Sequence, residues 1–107
     1  MPINYVSAQV ANVSTSTTVY NPTSSGVQAT LIGCLLANTG SSSVNATVTM
    51  TNATSTVTTN IIKNATIPSG NSLDILSTAK IVVPQNYTIS VSSTGSVDVT
   101  ISSVEVS

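Results

Sequence analysis

Histidine, arginine, tryptophan and phenylalanine do not occur in this chain, and cysteine occurs once. Each absence removes a class of chemistry. Without histidine no imidazole can serve as the base of a hydrolytic triad or dyad. One cysteine with no histidine cannot furnish a zinc site, and it excludes an internal disulfide. No D-x-D-x-D-G loop is available for calcium. Charge is equally scarce: Lys63, Lys80, Asp74, Asp98 and Glu105 make up 5% of the residues, where roughly a quarter is usual. A net charge of −1 cannot neutralise a row of phosphates, so no nucleic-acid partner is expected. The same poverty argues against a polybasic membrane patch. The longest apolar run, Leu31 to Ala37, is far shorter than the ~20 residues a bilayer-spanning helix needs. Met1 to Ser25 contain no lysine, no arginine and no apolar h-region. The expectation is a chain without a signal peptide, made in a cytoplasm and not bound to a membrane.

What is present is a strand-forming composition. Of 107 residues, 42 are Val, Ile or Thr, β-branched types that fit a pleated, half-buried surface. The length suits one domain, residues 1–107, and is too short for two good cores. Period-two alternation recurs along the chain. Tyr5 to Val13 and Thr17 to Tyr20 open it, closed by a turn over Asn21 to Gly26. Val27 to Asn38 is apolar on both faces, with Val27, Ala29, Leu31, Leu35 and Ala37 on one and Ile32, Cys34 and Leu36 on the other. That pattern predicts a central strand, with Gly33 at a bend or close approach. After a turn at Thr39 to Ser43, Val44, Ala46, Val48 and Met50 alternate with Asn45, Thr47, Thr49 and Thr51, a strand with one wet face. Val57 to Ile67 is a further strand, broken by the turn Ile67-Pro68-Ser69-Gly70-Asn71, where Pro68 suits the second position and Gly70 a positive φ. Leu73 to Leu76 and Lys80 to Val83 are short strands. Tyr87, Ile89 and Val91, then Val97, Val99 and Ile101, alternate with polar residues. At Ser102-Ser103 the apolar parity slips to Val104 and Val106, which predicts a β-bulge or a change of sheet. The fold class is all-β: an antiparallel two-sheet β-sandwich or jelly roll of about eight strands.

Candidates for chemistry are few. Asp74 and Asp98 could meet across sheets as a glycosidase pair, but two solvated surface acids is the simpler reading. No catalytic, cofactor-binding or metal-binding residue is assigned, and the chain is not expected to be an enzyme. Asn12, Asn45, Asn52, Asn64 and Asn86 head Asn-x-Ser/Thr sequons, read here as polar residues on strand faces. Tyr5 and Tyr20 could stack on a ligand, although buried rings with their hydroxyls at the rim fit better. Cys34 reads as a buried, unreactive thiol.

Three stretches carry a resemblance: Ala29 to Asn38; Ile67 to Leu76, followed by Lys80 to Val83; and the closing pair Tyr87 to Val91 and Gly95 to Val106. Together they resemble small β-sandwich virion structural proteins of tailed phages, notably marine and cyanobacterial ones. The resemblance implies a capsid decoration subunit or a neck, tail or fibre accessory protein, located in the virion. Its partners would be other virion proteins, and further copies of itself in a homo-oligomer. It transfers no functional residue. An extracellular adhesin or carbohydrate-binding β-sandwich module is the alternative.

Overall fold

The computed structural model describes residues 3–21, 28–76, 80–84 and 86–106. The expected turn beyond Asn21, and Val27, lie outside these residues. Among the described residues nine strands form: β1 (Ile3–Val13), β2 (Thr17–Tyr20), β3 (Gln28–Asn38), β4 (Val44–Asn52), β5 (Val57–Ile67), β6 (Ser72–Asp74), β7 (Ile81–Val83), β8 (Tyr87–Ser93) and β9 (Val97–Val106). One sheet, A, has the order β1-β9-β3, with β6 and β7 each pairing β3 as two halves of one edge. The other, B, has the order β2-β8-β4-β5. All pairings are antiparallel.

The pairings nest. First strand meets last (β1–β9), second meets second-to-last (β2–β8), β3 meets β6 and β7, and β4 meets β5. A long hairpin rolled so that β9 also pairs β3, and β8 also pairs β4, is the wrapping of a jelly roll. The core lies between the sheets. From sheet A come Ala29, Leu31, Cys34, Leu36, Val97, Val99 and Ile101; from sheet B come Val19, Ala46, Val48, Ile67, Ile89 and Val91. Sheet membership follows the alternation, because inward residues at every second position of each strand supply that layer.

One bulge faces the place where the sequence pattern slips, but on a different strand than expected. β9 keeps one parity to its end: Ser103 pairs Val6 and Leu31 and is buried, while Val104 faces outward opposite Tyr5 and Thr30. The extra residue is Ile32 in β3, between Leu31, opposite Ser103, and Gly33, opposite Ser102. Beyond it the parity of β3 reverses, so Ala29, Leu31, Cys34, Leu36 and Asn38 point inward while Ile32 and Leu35 are exposed. Leu31 and Cys34 thus share a face that strict alternation assigns to opposite sides. β3 is central within its sheet, as expected, but its outer face carries apolar groups that no described residue covers. A Cβ on Gly33 would make only ordinary contacts with Ser102, so that glycine marks the bulge and no tight approach.

Two other glycines are constrained in different ways. Gly70, at φ 75°, occupies the third position of a turn closed by Asn71 N–H donating to the Pro68 carbonyl at 3.1 Å. Pro68 is therefore first in the turn rather than second. Space around Gly70 is open, whereas a Cβ on Gly95 would lie 2.6 Å from Val44 Cγ1. Gly70→Val should lose about 2 kcal/mol, because an L-residue in the left-handed region costs ~1–2 kcal/mol and β-branching adds to it. Gly70→Asn should recover most of that loss. Gly95→Ala should lose ~1–3 kcal/mol through overpacking, and Gly95→Asn should do no better. Urea denaturation of the four variants separates backbone strain from steric conflict; equal behaviour of the two asparagine variants would contradict both assignments.

Candidate functional site

A chain of polar groups lies between the sheets. A register shift in β2 between Thr18 and Tyr20 leaves both Val19 and Tyr20 buried. From there the Tyr20 hydroxyl crosses to β9: it accepts a hydrogen bond from Ser103 Oγ at 3.0 Å and donates one to Glu105 Oε2. Burial first, and then the bond to Glu105, pushes the Tyr20 phenol up to about 12. Ser103 is 1% exposed, so its hydroxyl needs this partner. A donor chain that ends on a carboxylate clasps the two sheets together. Through these two bonds the tyrosine ties β2 of one sheet to β9 of the other.

The acids do not form a facing pair. Asp74 and Asp98 both belong to sheet A, on either side of β3, opposite Leu35 and Ala37 respectively. Each carboxylate accepts from a backbone N–H at 3.0 Å, Asp98 from Asn12 and Asp74 from Leu76. Each carboxylate therefore ties local backbone, and the two do not face each other across the sheets. Cys34 is 1% exposed, and burial, followed by the nearby Asp74, pushes its thiol up to about 12. An unionised, enclosed thiol is a poor nucleophile, as the sequence predicts. No cleft or cavity of ligand size is present among the described residues. Nor do three or more Asp, Glu, Cys or His side chains cluster there.

The asparagines divide by conformation. Asn45 and Asn52 lie on β4, as strand-face residues should. Asn12, Asn64 and Asn86 instead have φ of 58°, 53° and 71°, at two bulges and a turn. Asn tolerates the left-handed region better than other non-glycine residues, which explains these positions without any glycan. Asn38, which no motif singled out, is 3% exposed and knots three segments: its amide donates to the Ser42 and Ile67 carbonyls at 2.8 and 3.0 Å, and its Oδ1 accepts from Gly40 N–H at 2.9 Å.

The two outer faces differ in chemistry. On sheet B, Thr18, Ser90, Thr49 and Asn60 form a row across all four strands, flanked by Thr88, Thr51 and Thr58. That row is uncharged hydroxyl and amide. On sheet A, Tyr5, Val104, Thr30 and Val82 form a row across four strands, beside Ile3 and Val106, with Ile32 and Leu35 further along β3. Tyr5 is 82% exposed, Ile3 59% and Val82 56%. The expectation of buried tyrosine rings therefore holds for Tyr20 and fails for Tyr5. Val104 and Val106 are where the parity slip in the sequence leads: apolar residues placed to face outward.

No protein-family model matches this chain, and no curated protein matches it. Among solved structures, it is similar to a chain from Bacillus endospore appendages, described as forming a family of disulfide-linked pili. The two superpose with a TM-score of 0.57 at 16% identity, over 97% of this chain and 84% of that one. The likeness supports the two-sheet fold.

Proposed function

We propose that this chain is a structural subunit that works by protein–protein assembly, and that the assembly is a tailed-phage virion in which it serves as a capsid decoration subunit or a neck or tail accessory protein. The observation that carries the reading is the apolar outer face of sheet A. Ile3, Tyr5, Ile32, Leu35 and Val82 are large, exposed and gathered on one side of one sheet. A solvated monomer gains nothing from such a patch, and a subunit gains a contact surface. The scarcity of charge supports the same reading, since binding would rest on apolar burial and backbone groups.

A second reading, a subunit of an extracellular filament or adhesin, draws on the likeness to the endospore appendage chain. Its carbohydrate-binding form is less well supported, because an aromatic platform would have to be built on Tyr5 alone. Mass spectrometry of purified phage particles tests the proposal. The chain should be present in them, and Val82→Asp, which charges the outer face without touching the core, should reduce its incorporation. Absence from particles, with recovery from cell-surface appendages, would replace the virion with the filament.

A further inference from the structure

Among the described residues four sheet edges are open to strand addition, and three of them carry protection. β2 is four residues long. β5 has register shifts against β4 and bears the exposed Lys63. The β6/β7 edge is split into two three-residue strands flanked by Asp74 and Lys80. Short strands, bulges and charged residues are the means by which proteins keep sheet edges from pairing with other chains. β1 has none of these before its bulge at Asn12. It runs for eleven residues without a charge or a proline, and among the described residues it pairs only β9. Its inward side chains Val6, Ala8 and Val10 are also only partly buried, because the short β2 cannot cover the full length of β1.

We propose that β1 pairs with β1 of a second copy of this chain, antiparallel about a two-fold axis at Ala8, joining two A sheets into one continuous sheet. This rests on the assembly reading above and names the partner at one edge. The argument for a second copy, rather than some other strand, is the pattern Val6-Ser7-Ala8-Gln9-Val10, which is nearly palindromic in polarity and size. Centred on Ala8, the register puts Val6 opposite the partner's Val10, Ala8 opposite its own copy, Ser7 opposite the partner's Gln9 and Tyr5 opposite the partner's Ala11. Inward residues meet inward residues, so the partly covered valines of both copies close over each other. On the outer side a large ring meets a small residue and a hydroxyl meets an amide. Shifting the register by one step that keeps the faces aligned, to centre on Ser7, would put Val10 opposite the polar Asn4. No like charges approach, since β1 has none. Seven paired residues per strand give roughly six to eight backbone hydrogen bonds, within the ~10 ± 5 of a specific interface. A symmetric contact of this kind closes after two copies.

Ser7 and Gln9 are exposed, so charges placed there test the register without disturbing the core. Sedimentation of the purified chain at micromolar concentration should show a dimer that persists at high salt, because no ion pair holds it. Ser7→Lys/Gln9→Lys sets lysine against lysine twice and should weaken the dimer roughly tenfold. Ser7→Lys/Gln9→Glu sets lysine against glutamate twice and should restore it, with circular dichroism unchanged in both. A monomeric native chain, a dimer indifferent to the two lysines, or a Lys/Glu variant as weak as the Lys/Lys one would each overturn the proposal. A dimer that passes these tests but is absent from purified particles would overturn the virion reading and leave the β1 pairing standing. A monomer found in particles would do the reverse.

Discussion

Leu31→Ala is expected to lower the unfolding free energy by about 3–4 kcal/mol, while Ile32→Ala, one residue along the same strand, should cost under ~1 kcal/mol. Leu31 is fully enclosed, paired with Ser103 on one side and Ile81 on the other. Its removal leaves a cavity that a hydrogen-bonded central strand cannot collapse into, which puts it well within the large-to-small range of ~2–5 kcal/mol. Ile32 is 43% exposed on the outer face, and its truncation removes little buried surface. For a domain of this size the first substitution should shift Tm by roughly 15–25 °C and the second by a few degrees. Thermal unfolding of the two variants reads the bulge directly. Comparable losses would mean that Ile32 is packed inside, and that the reversal of parity along β3 is wrong.

The second large effect is alkaline. Cys34 rises from an ordinary value near 9, and Tyr20 from one near 10, both to about 12. Burial is the main cause for each. Both groups stay neutral in the folded chain and ionise more readily once unfolded, so above pH 9 unfolding releases protons. Their contribution is complete below pH 9 and is lost as pH climbs toward 12. A gap of that size for the enclosed thiol corresponds to roughly 4 kcal/mol. Urea midpoints measured from pH 7 to pH 11 should be level and then fall from about pH 9. In Cys34→Ala the fall should begin about one unit later, where Tyr20 takes over. Native and variant curves that run parallel would show that the thiol ionises equally easily in both states.

Much of the fold was legible because period-two alternation is a local signal. β2 and β5 have the bounds that their patterns predict, and β4 has the buried and half-wet faces predicted for it. Strand membership in sheets was not legible, since nothing near Ser72 or Ile81 says that two short segments will share one partner. The slip at Ser102-Ser103 was visible, but its cause was not. One strand's pattern cannot reveal whether it bulges itself or opposes a bulge while turning its own valines outward. The polar clasp escaped for a related reason. Tyr20 lies 83 residues from Ser103 and 85 from Glu105, and only the fold brings them together. A trace of it was nonetheless present: Ser103 and Glu105 continue the inward series of Val97, Val99 and Ile101, and an inward polar residue requires a partner. The left-handed asparagines had a signal too, in the residue type rather than in the sequon.

The position of β9 has a consequence for biosynthesis. It is the last of the nine described strands to be made, yet it lies between β1 and β3, which do not pair with each other. From the end of β3 at Asn38 to the start of β9 at Val97, a ribosome working at ~5–20 residues per second needs roughly 3–12 s. Through that interval β1 has no partner strand, and β3 is paired on one edge at most, once β6 and β7 have emerged. The β4–β5 hairpin with β2 and β8, and the pairing of β3 with β6 and β7, can form beforehand. Sheet A therefore closes only when β9 has emerged, in a step that joins the first described strand to the last. A chain lacking β9 would leave the facing edges of β1 and β3 uncovered, and nascent chains would have to be kept apart until β9 emerges.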